Sequence, residues 1–372
     1  MRIAVLHDHL RFIGGGERVA VYIASALDAD LFVTDLDPDL LRRAGLPEVR
    51  VAEIGKAPAT PLLRQSRQSA IFARASLPGY DGYVLSGNWA VFAAGRHRPN
   101  LWYCYTPVRV FYDLREPFLE DLSPARRWVA DRWIRRMRPR YEAAVGGVQR
   151  IVTLSRNVVG RVKRCLGRDA DLLYPPVDAA RYRFDQVGDF WLSVNRLSHE
   201  KRLSLQVEAF RRLPEERLVI AGGPQIGVDA GTFLRSLNPP ENVTVLGEVE
   251  EARLLELYAT CRGLVATAVD EDFGLAPLEA MASGKAVVAV DEGGYRESIV
   301  PGETGWLVPT DAEALADAIR RASPDALEAM MPACQARARA FDAPVFAERM
   351  RGLVEDFAGG EGGARVGRAI GG

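Results

Sequence analysis

The sequence has no paired cysteines. Its four thiols, Cys104, Cys165, Cys261 and Cys334, are far apart and form no CxxC pair, so neither a zinc cage nor a disulfide framework is indicated. A reducing cytoplasm is the expected setting. No apolar run approaches the roughly 18 residues that a spanning helix requires, and the opening MRIAVLHDHL holds too short an apolar stretch for a signal peptide. Attachment to a membrane is then expected only at its surface. The chain also lacks an excess of charge of one sign: a formal net charge of -1 gives no field suited to general nucleic-acid binding. What it does have is 372 residues, 48% of them hydrophobic, which exceeds one comfortable core at about 100 to 200 residues per domain. Two lobes with a cleft between them are expected.

Short apolar runs alternate with longer amphipathic segments: IAVLH (3–7), LFVTD (31–35), YVLS (83–86), LWYCY (101–105) and RIVTLS (150–155). That rhythm predicts a parallel sheet covered by helices. It pauses at Tyr174-Pro175-Pro176-Val177-Asp178, because consecutive prolines continue neither a helix nor a central strand. The rhythm restarts with FWLSV (190–194), RLVIAG (217–222), NVTVLG (242–247), GLVATAV (263–269) and AVVAV (286–290). The expectation is two doubly wound α/β lobes, 1–174 and 175–343, whose ligands bind beyond the carboxyl ends of the strands. The tail GGEGGARVGRAIGG from residue 359 has the composition of a disordered segment.

The stretch EDFGLAPLE, residues 271–279, sets two glutamates around a turn. Pro277 suits a first helical position, and Gly284 suits the stop of a helix that runs PLEAMAS. Glu271 then lies at a strand's end, and Glu279 in the first helical turn beside N–H groups that attract anions. Carboxylates accept hydrogen bonds from vicinal hydroxyls, so a phosphate flanked by the two has the layout of a nucleotide sugar. The loop NRLSHEKR (195–202) brings Arg196 and Lys201 to another strand's carboxyl end, where a guanidinium and an ammonium suit a diphosphate. In the first lobe Gly14, Gly15 and Gly16 precede a helix, so backbone and positive helix terminus can meet a phosphate or sugar. The spacing is not GxGxxG, and three glycines also read as a plain turn. Asp270-Glu271-Asp272 invites a metal reading, but Arg and Lys neutralise a diphosphate without metal, and no metal site is expected.

Two further segments stand out. WYCYTPVRVFYDL (102–114) mixes aromatics with Thr106, Arg109 and Asp113, a composition that suits sugar binding as well as core packing. Residues 125–148 carry seven arginines against Asp131 and Glu142, with Val129, Trp133, Met137, Tyr141 and Val145 recurring every four residues. That stripe predicts a helix packed on the sheet, interrupted by Pro139. Its arginine density suggests contact with anionic lipid headgroups or a lipid-diphosphate acceptor. His7 and His9 follow the first strand; isolated histidines are most often structural or exposed.

DEDFGLAPLEAMASGKAVVAVDEGGYRESI resembles the signature of the retaining glycosyltransferases of family 4: two glutamates with seven residues between them, an EAMA-type helix and a Gly-Gly loop. The resemblance implies a GT-B architecture, two Rossmann-like doubly wound lobes facing a central cleft, with a last helix (344–358) crossing back to the first lobe. It implies that Arg196 and Lys201 clamp the donor diphosphate and that Glu271 binds donor-sugar hydroxyls. Glu279 takes the ribose diol, and Phe273, Gly274, Leu275 and Ala276 complete the donor loop. Gly15 and Gly16 face the phosphates across the cleft. WYCYTPVR is similar to the bacterial mannosyltransferase-type YCHTPxRxxxD motif, which implies an acceptor and sugar site at Tyr105, Thr106, Arg109 and Asp113.

One departure matters: Tyr105 stands at that motif's histidine. A phenol with pKa near 10 is no base at neutral pH, so Tyr105 is expected to orient the donor sugar. The resulting expectation is a cofactor-independent, metal-independent transferase of polysaccharide biosynthesis. It moves a hexose, mannose from GDP-mannose by the motif resemblance alone, to a glycan or lipid-linked acceptor at the inner face of the plasma membrane. Two alternatives stay open: a nucleotide-sugar epimerase or hydrolase, and a silent sugar-binding or scaffolding subunit.

Overall fold

The computed structural model describes residues 1–120, 122–224 and 230–358. The glycine-rich tail from residue 359, expected to be disordered, lies outside the described residues.

In the first lobe the strands are β1 (Ile3–Leu10), β2 (Asp30–Leu36), β3 (Val51–Gly55), β4 (Gly82–Ser86), β5 (Asn100–Cys104), β6 (Arg150–Thr153) and β7 (Asp171–Leu172). They pair in parallel in the order β3-β2-β1-β4-β5-β6-β7. The second lobe has β8 (Phe190–Val194), β9 (Arg217–Ala221), β10 (Val243–Gly247), β11 (Gly263–Ala266), β12 (Val287–Val290) and β13 (Gly305–Val308), parallel in the order β10-β9-β8-β11-β12-β13. Every residue of β4, β5, β11 and β12 is buried, as expected of strands covered by helices on both faces.

Strand order reverses between β1 and β4 in the first sheet and between β8 and β11 in the second. Such switch points open crevices beyond the carboxyl ends of the strands. The glycine loop follows β1, while the Arg196–Lys201 and Glu271 loops follow β8 and β11. Topology thus collects the candidate residues.

The chain crosses between lobes twice, side by side. Val177 N donates to Phe341 O and Ala343 N to Val177 O, both at 2.9 Å. The helix Ala343–Ala358 then packs on the first lobe: Arg351 Nε donates to Ala26 O at 2.8 Å, Phe346 meets the Tyr103 ring edge-on at 6.1 Å, and Met350 and Val354 are buried.

The arginine-rich helix differs from expectation. It runs unbroken as Pro124–Gly146 with Pro139 inside, because Pro139 is exposed and the carbonyl it leaves unpaired is open to water. Its buried residues are Ala130, Ile134, Met137, Tyr141 and Val145, whereas Val129 is 51% exposed. A stripe stepping strictly by four drifts about 40° each step at 3.6 residues per turn, so Val129 and Val145 fall on different faces.

Candidate active site

Two loops of the second lobe build one wall. Thr267 Oγ1 donates to the Lys201 carbonyl at 2.9 Å and receives Gln206 Nε2 at 2.8 Å, while Val269 N donates to Glu200 O at 2.8 Å. The loop after β8 is thereby stitched to the loop after β11. Both contain a side-chain-bearing residue in left-handed backbone, Arg202 at φ +47 and Asp270 at φ +44. Such strain persists only where surroundings enforce it, and Glu292 enforces both: its carboxylate takes Arg202 Nη1 at 2.9 Å and Asp270 N at 3.2 Å.

Lys201 Nζ then meets Glu271 Oε2 at 2.5 Å. Burial opposes the charge of Glu271 most strongly, yet the Lys201 ammonium, with Arg196 behind it, holds the carboxyl below its ordinary range. Arg196 itself is 59% exposed and its guanidinium lies 4.0 Å from Glu200. It is the more open of the two cations.

The helix Leu275–Ala282 starts two residues before Pro277, which corrects the expected start. Gly274 turns the chain with φ +84, and Pro277 as the third helical residue lacks only an N–H that has no partner within the helix. Glu279 is consequently the fifth helical residue, beyond the first turn. Its carboxylate accepts the Tyr258 hydroxyl at 2.7 Å and faces Arg18 of the other lobe. Burial works against the charge of Arg18, but Glu279 and Glu251 raise its pKa above the ordinary value. Phe273 is buried between Tyr174 and Phe341, with ring centroids at 5.3 and 5.6 Å, so only its backbone is left to the loop.

From the first lobe, the helix Gly15–Ala26 points its start at this wall: a Cβ on Gly15 would lie 3.2 Å from Leu275 Cδ1. Two helix amino termini thus face each other across the cleft, a geometry that concentrates positive potential. Tyr105 braces the loop. Its hydroxyl donates to the Gly16 carbonyl at 2.8 Å and lies 2.6 Å from Ser86 Oγ, and burial pushes the phenol well above its ordinary pKa.

The lobes are locked where the acidic run meets the helix Arg156–Leu166. Arg161, 1% exposed, binds Asp270 at 2.8 Å and also Asp272. Asn157 Nδ2 donates to Asp270 Oδ1 at 2.8 Å, and Ser155 Oγ to Asp272 O at 2.5 Å. Glu297 returns the contact, accepting the amides of Arg156 and Asn157 at 2.8 and 2.9 Å, where an anion suits a helix start. All three carboxylates of Asp270-Glu271-Asp272 therefore already have cationic partners. In the segment expected to meet the acceptor, Thr106 Oγ1 accepts Arg161 Nη1 at 2.6 Å, and Arg109 spans Asp113 at 2.6 Å and Asp270 at 3.4 Å.

Sequence reasoning missed Arg161, Glu251 and Glu297, and it took Glu17-Arg18 only as the usual continuation of the family's glycine loop, with no role for Arg18. Arg161 sits in an ordinary helical segment and carries no signal. His7 fits the structural expectation for an isolated histidine. His7, 2% exposed, sets Nδ1 3.0 Å from Ser86 O. Its Nε2 and His9 Nδ1 lie 3.9 and 3.7 Å from Glu17 Oε1, beside the glycine loop. Burial disfavours the Glu17 carboxylate, but His7 and His9 hold its pKa below the ordinary value. Among the described residues no group of three His, Cys, Asp or Glu side chains is arranged to hold a metal ion, and no helix is long and apolar enough to cross a membrane.

Residues 178–339 match the family model "Glycosyl transferases group 1". The chain is 35% identical over 147 residues to the alpha-1,3/1,6-mannosyltransferase alg-2 of Neurospora crassa, covering 31% of each chain. It is 35% identical over 170 residues to the D-inositol 3-phosphate glycosyltransferase of Mycobacteroides abscessus, covering 40% of this chain and 38% of that one. It is 49% identical over 80 residues to the lipopolysaccharide core biosynthesis mannosyltransferase LpcC of Rhizobium leguminosarum bv. viciae, covering 21% and 22%. The chain spans well under half the length of each of these relatives. Among solved structures, Anabaena Alr3699/HepE in complex with UDP and glucose superposes with a TM-score of 0.71 at 20% identity over 96% of this chain and 100% of that one. Sucrose-phosphate synthase from Thermosynechococcus elongatus gives 0.71 at 18% identity over 96% and 98%. The chain has the GT-B fold of these neighbours, and its residues 178–339 are similar to the glycosyl transferases group 1 family, with mannosyltransferases among the relatives.

Proposed function

We propose that the protein is a retaining, metal-independent and cofactor-independent glycosyltransferase of the cytoplasm. In our reading it moves a hexose, mannose, from a nucleoside-diphosphate sugar such as GDP-mannose to a hydroxyl of a glycan or lipid-linked acceptor. The observation that carries the reading is the Lys201–Glu271 pair at the second lobe's switch point, opposite the first lobe's glycine loop. The donor diphosphate would lie between Arg196 and Lys201 on one side and the backbone N–H groups of Gly15, Gly16 and Gly274 to Ala276 on the others. Glu271 would read donor-sugar hydroxyls and Glu279 the ribose diol.

Charge grows on the diphosphate as the sugar C1–oxygen bond breaks, and fixed cations and helix termini stabilise that charge without reorganising. The acceptor oxygen bonds to C1 from the same face, and its proton passes to the departing diphosphate, so no side chain serves as nucleophile. Thr106, Arg109 and Asp113 line the acceptor side. Tyr105 acts on the donor through the loop it braces. The engagement of Asp270 and Asp272 by Arg161 supports metal independence, and mannosyltransferases among the relatives support mannose.

A silent binding subunit is the second reading, favoured by Tyr105 spending its hydroxyl on Gly16 and Ser86. Incubation with a panel of nucleoside-diphosphate hexoses, with and without hydroxyl acceptors, separates the readings. Transfer predicts nucleoside diphosphate released only with acceptor, and a product whose anomeric proton matches the donor's configuration by NMR. Products from donor alone would mean hydrolysis or epimerisation, and binding without turnover would mean a silent subunit.

A further inference from the structure

The helix Pro124–Gly146 has an outward face that the transfer reaction does not use. At about 100° per residue, its buried residues centre on one side, and Trp128, Val129, Arg132, Arg136 and Arg140 fall within an arc of about 120° on the other. Trp128 is 67% exposed and Val129 51%. Large apolar side chains left in water together with cations are what an interfacial helix presents to a membrane.

Among the described residues no carboxylate pairs with Arg132, Arg136 or Arg140. The nearby acids serve the helix flank instead, Asp131 with Arg135 at 2.8 Å and Glu142 with Arg138 at 2.8 Å. Arg132 sits 6.0 Å from the Trp128 ring centroid, so cation and aromatic share one spot. The neighbouring helix Leu63–Arg74 is tied in through Trp133 Nε1, which donates to Ser66 Oγ at 2.8 Å. On that helix Leu63, one turn from Ser66, is also 61% exposed.

We propose that this face docks the protein on an anionic phospholipid bilayer, with the arginines on headgroup phosphates and Trp128 and Val129 at headgroup depth. A soluble polyanion would satisfy the arginines but leave Trp128 and Val129 in water; a bilayer takes both, since tryptophan favours the interface. The buried side and flanks of the same helix hold the segment that carries Arg109 and Asp113. Phe111 packs against Tyr141 and Trp133 at 5.5 and 5.6 Å, and Tyr112 donates to Glu142 at 3.3 Å. The segment carrying Arg109 and Asp113 is therefore held by the same helix that presents the docking face. An acceptor anchored in lipid is delivered to the cleft mouth. The docking face itself does not depend on the transferase reading, and its test involves no turnover.

The test is flotation of the full chain with vesicles of phosphatidylcholine alone and of phosphatidylcholine mixed with phosphatidylglycerol, at low and high salt. Two variants accompany it, R132E/R136E/R140E and W128S/V129S, each checked for unchanged circular dichroism. The wild type is expected to float only with the anionic vesicles and to be released by salt. The arginine variant should lose about a hundredfold in partitioning or more, and the W128S/V129S variant should float measurably less at equal charge. Equal flotation on both lipids, none on either, or flotation that survives either variant overturns the proposal. Self-association abolished by W128S/V129S, without flotation, would overturn it in favour of a second copy of this chain.

Discussion

Lys201 Nζ and Glu271 Oε2 stand 2.5 Å apart with both side chains 17% exposed. A pair so enclosed is mutually dependent, because removing one member leaves the other's charge largely buried without its nearest counter-charge. This sets how the site should respond to mutation and to pH.

Replacing Lys201 with methionine should cost about 3–5 kcal/mol at neutral pH, read by urea unfolding. The sign follows from Glu271, whose folded pKa lies below its ordinary 4.5. Its pairing contributes stability above pH 4.5, and that contribution is lost as pH falls through the folded value. In K201M the stranded carboxyl gains from protonation instead. The gap between wild type and K201M should therefore close as pH drops below 4.5; a constant gap would mean that Glu271 does not feel Lys201.

Tyr105 gives a sharper distinction between bracing and proton transfer. Y105F deletes the hydroxyl that holds Gly16 and Ser86, so it should lower stability by about 0.5–1.5 kcal/mol and weaken donor binding several-fold, with catalysis retained. A base would show otherwise. Loss of turnover beyond about a thousandfold with unchanged donor affinity would assign Tyr105 to proton transfer.

The Gly-Gly loop holds the donor loop by close approach. A Cβ on Gly294 would lie 2.3 Å from Phe273 Cα and 2.8 Å from Asp272 O, both backbone atoms unable to rotate away. G294A should destabilise the second lobe by about 1–3 kcal/mol and shift the donor loop. The check is thermal unfolding with and without nucleoside diphosphate, where the stabilisation by ligand should shrink. G352A, inside the helix Ala343–Ala358 with nothing within 4 Å of the added carbon, is the control and should gain about 0.5–1 kcal/mol.

Arg18 links the lobes through Glu251 at 2.6 Å and faces Glu279. R18A should loosen lobe closure and weaken binding of a whole nucleoside diphosphate, while leaving each lobe folded. Small-angle scattering that shows the same compactness in wild type and R18A would contradict this.

The fold was legible because central strands buried on both faces write continuous apolar runs: FWLSV coincides with β8, residue for residue. Edge strands write weaker ones. VAEIG of β3 has Glu53 among its apolar residues, and none of its positions is buried. β13 was passed over because it opens on Gly305, and only glycine fits there: an added Cβ would meet Val287 O at 2.0 Å. In the site, the apolar runs placed Arg196, Lys201 and Glu271 just beyond strand ends, and the family resemblance singled them out there. Arg161 could not be read so. Its importance arises when a helix of one lobe meets an acidic loop of the other across 109 positions of chain, and nothing local encodes that meeting. The helix Pro124–Gly146 shows the opposite error, a four-residue repeat taken for a stripe when 3.6 residues per turn rotate it off the sheet.

The claim beneath the whole account is that a diphosphate is held between the lobes by the cations at 196 and 201. Calorimetric titration of the wild type and R196A with GDP, GMP, UDP and UMP tests it most directly, because Arg196 is 59% exposed and its loss should spare the fold. The wild type should prefer one nucleoside diphosphate to its monophosphate. R196A should lose about 10- to 100-fold of that preference, the worth of one charge-assisted hydrogen bond. Diphosphate affinity equal in the two proteins, or a wild type that does not distinguish diphosphate from monophosphate, would contradict it.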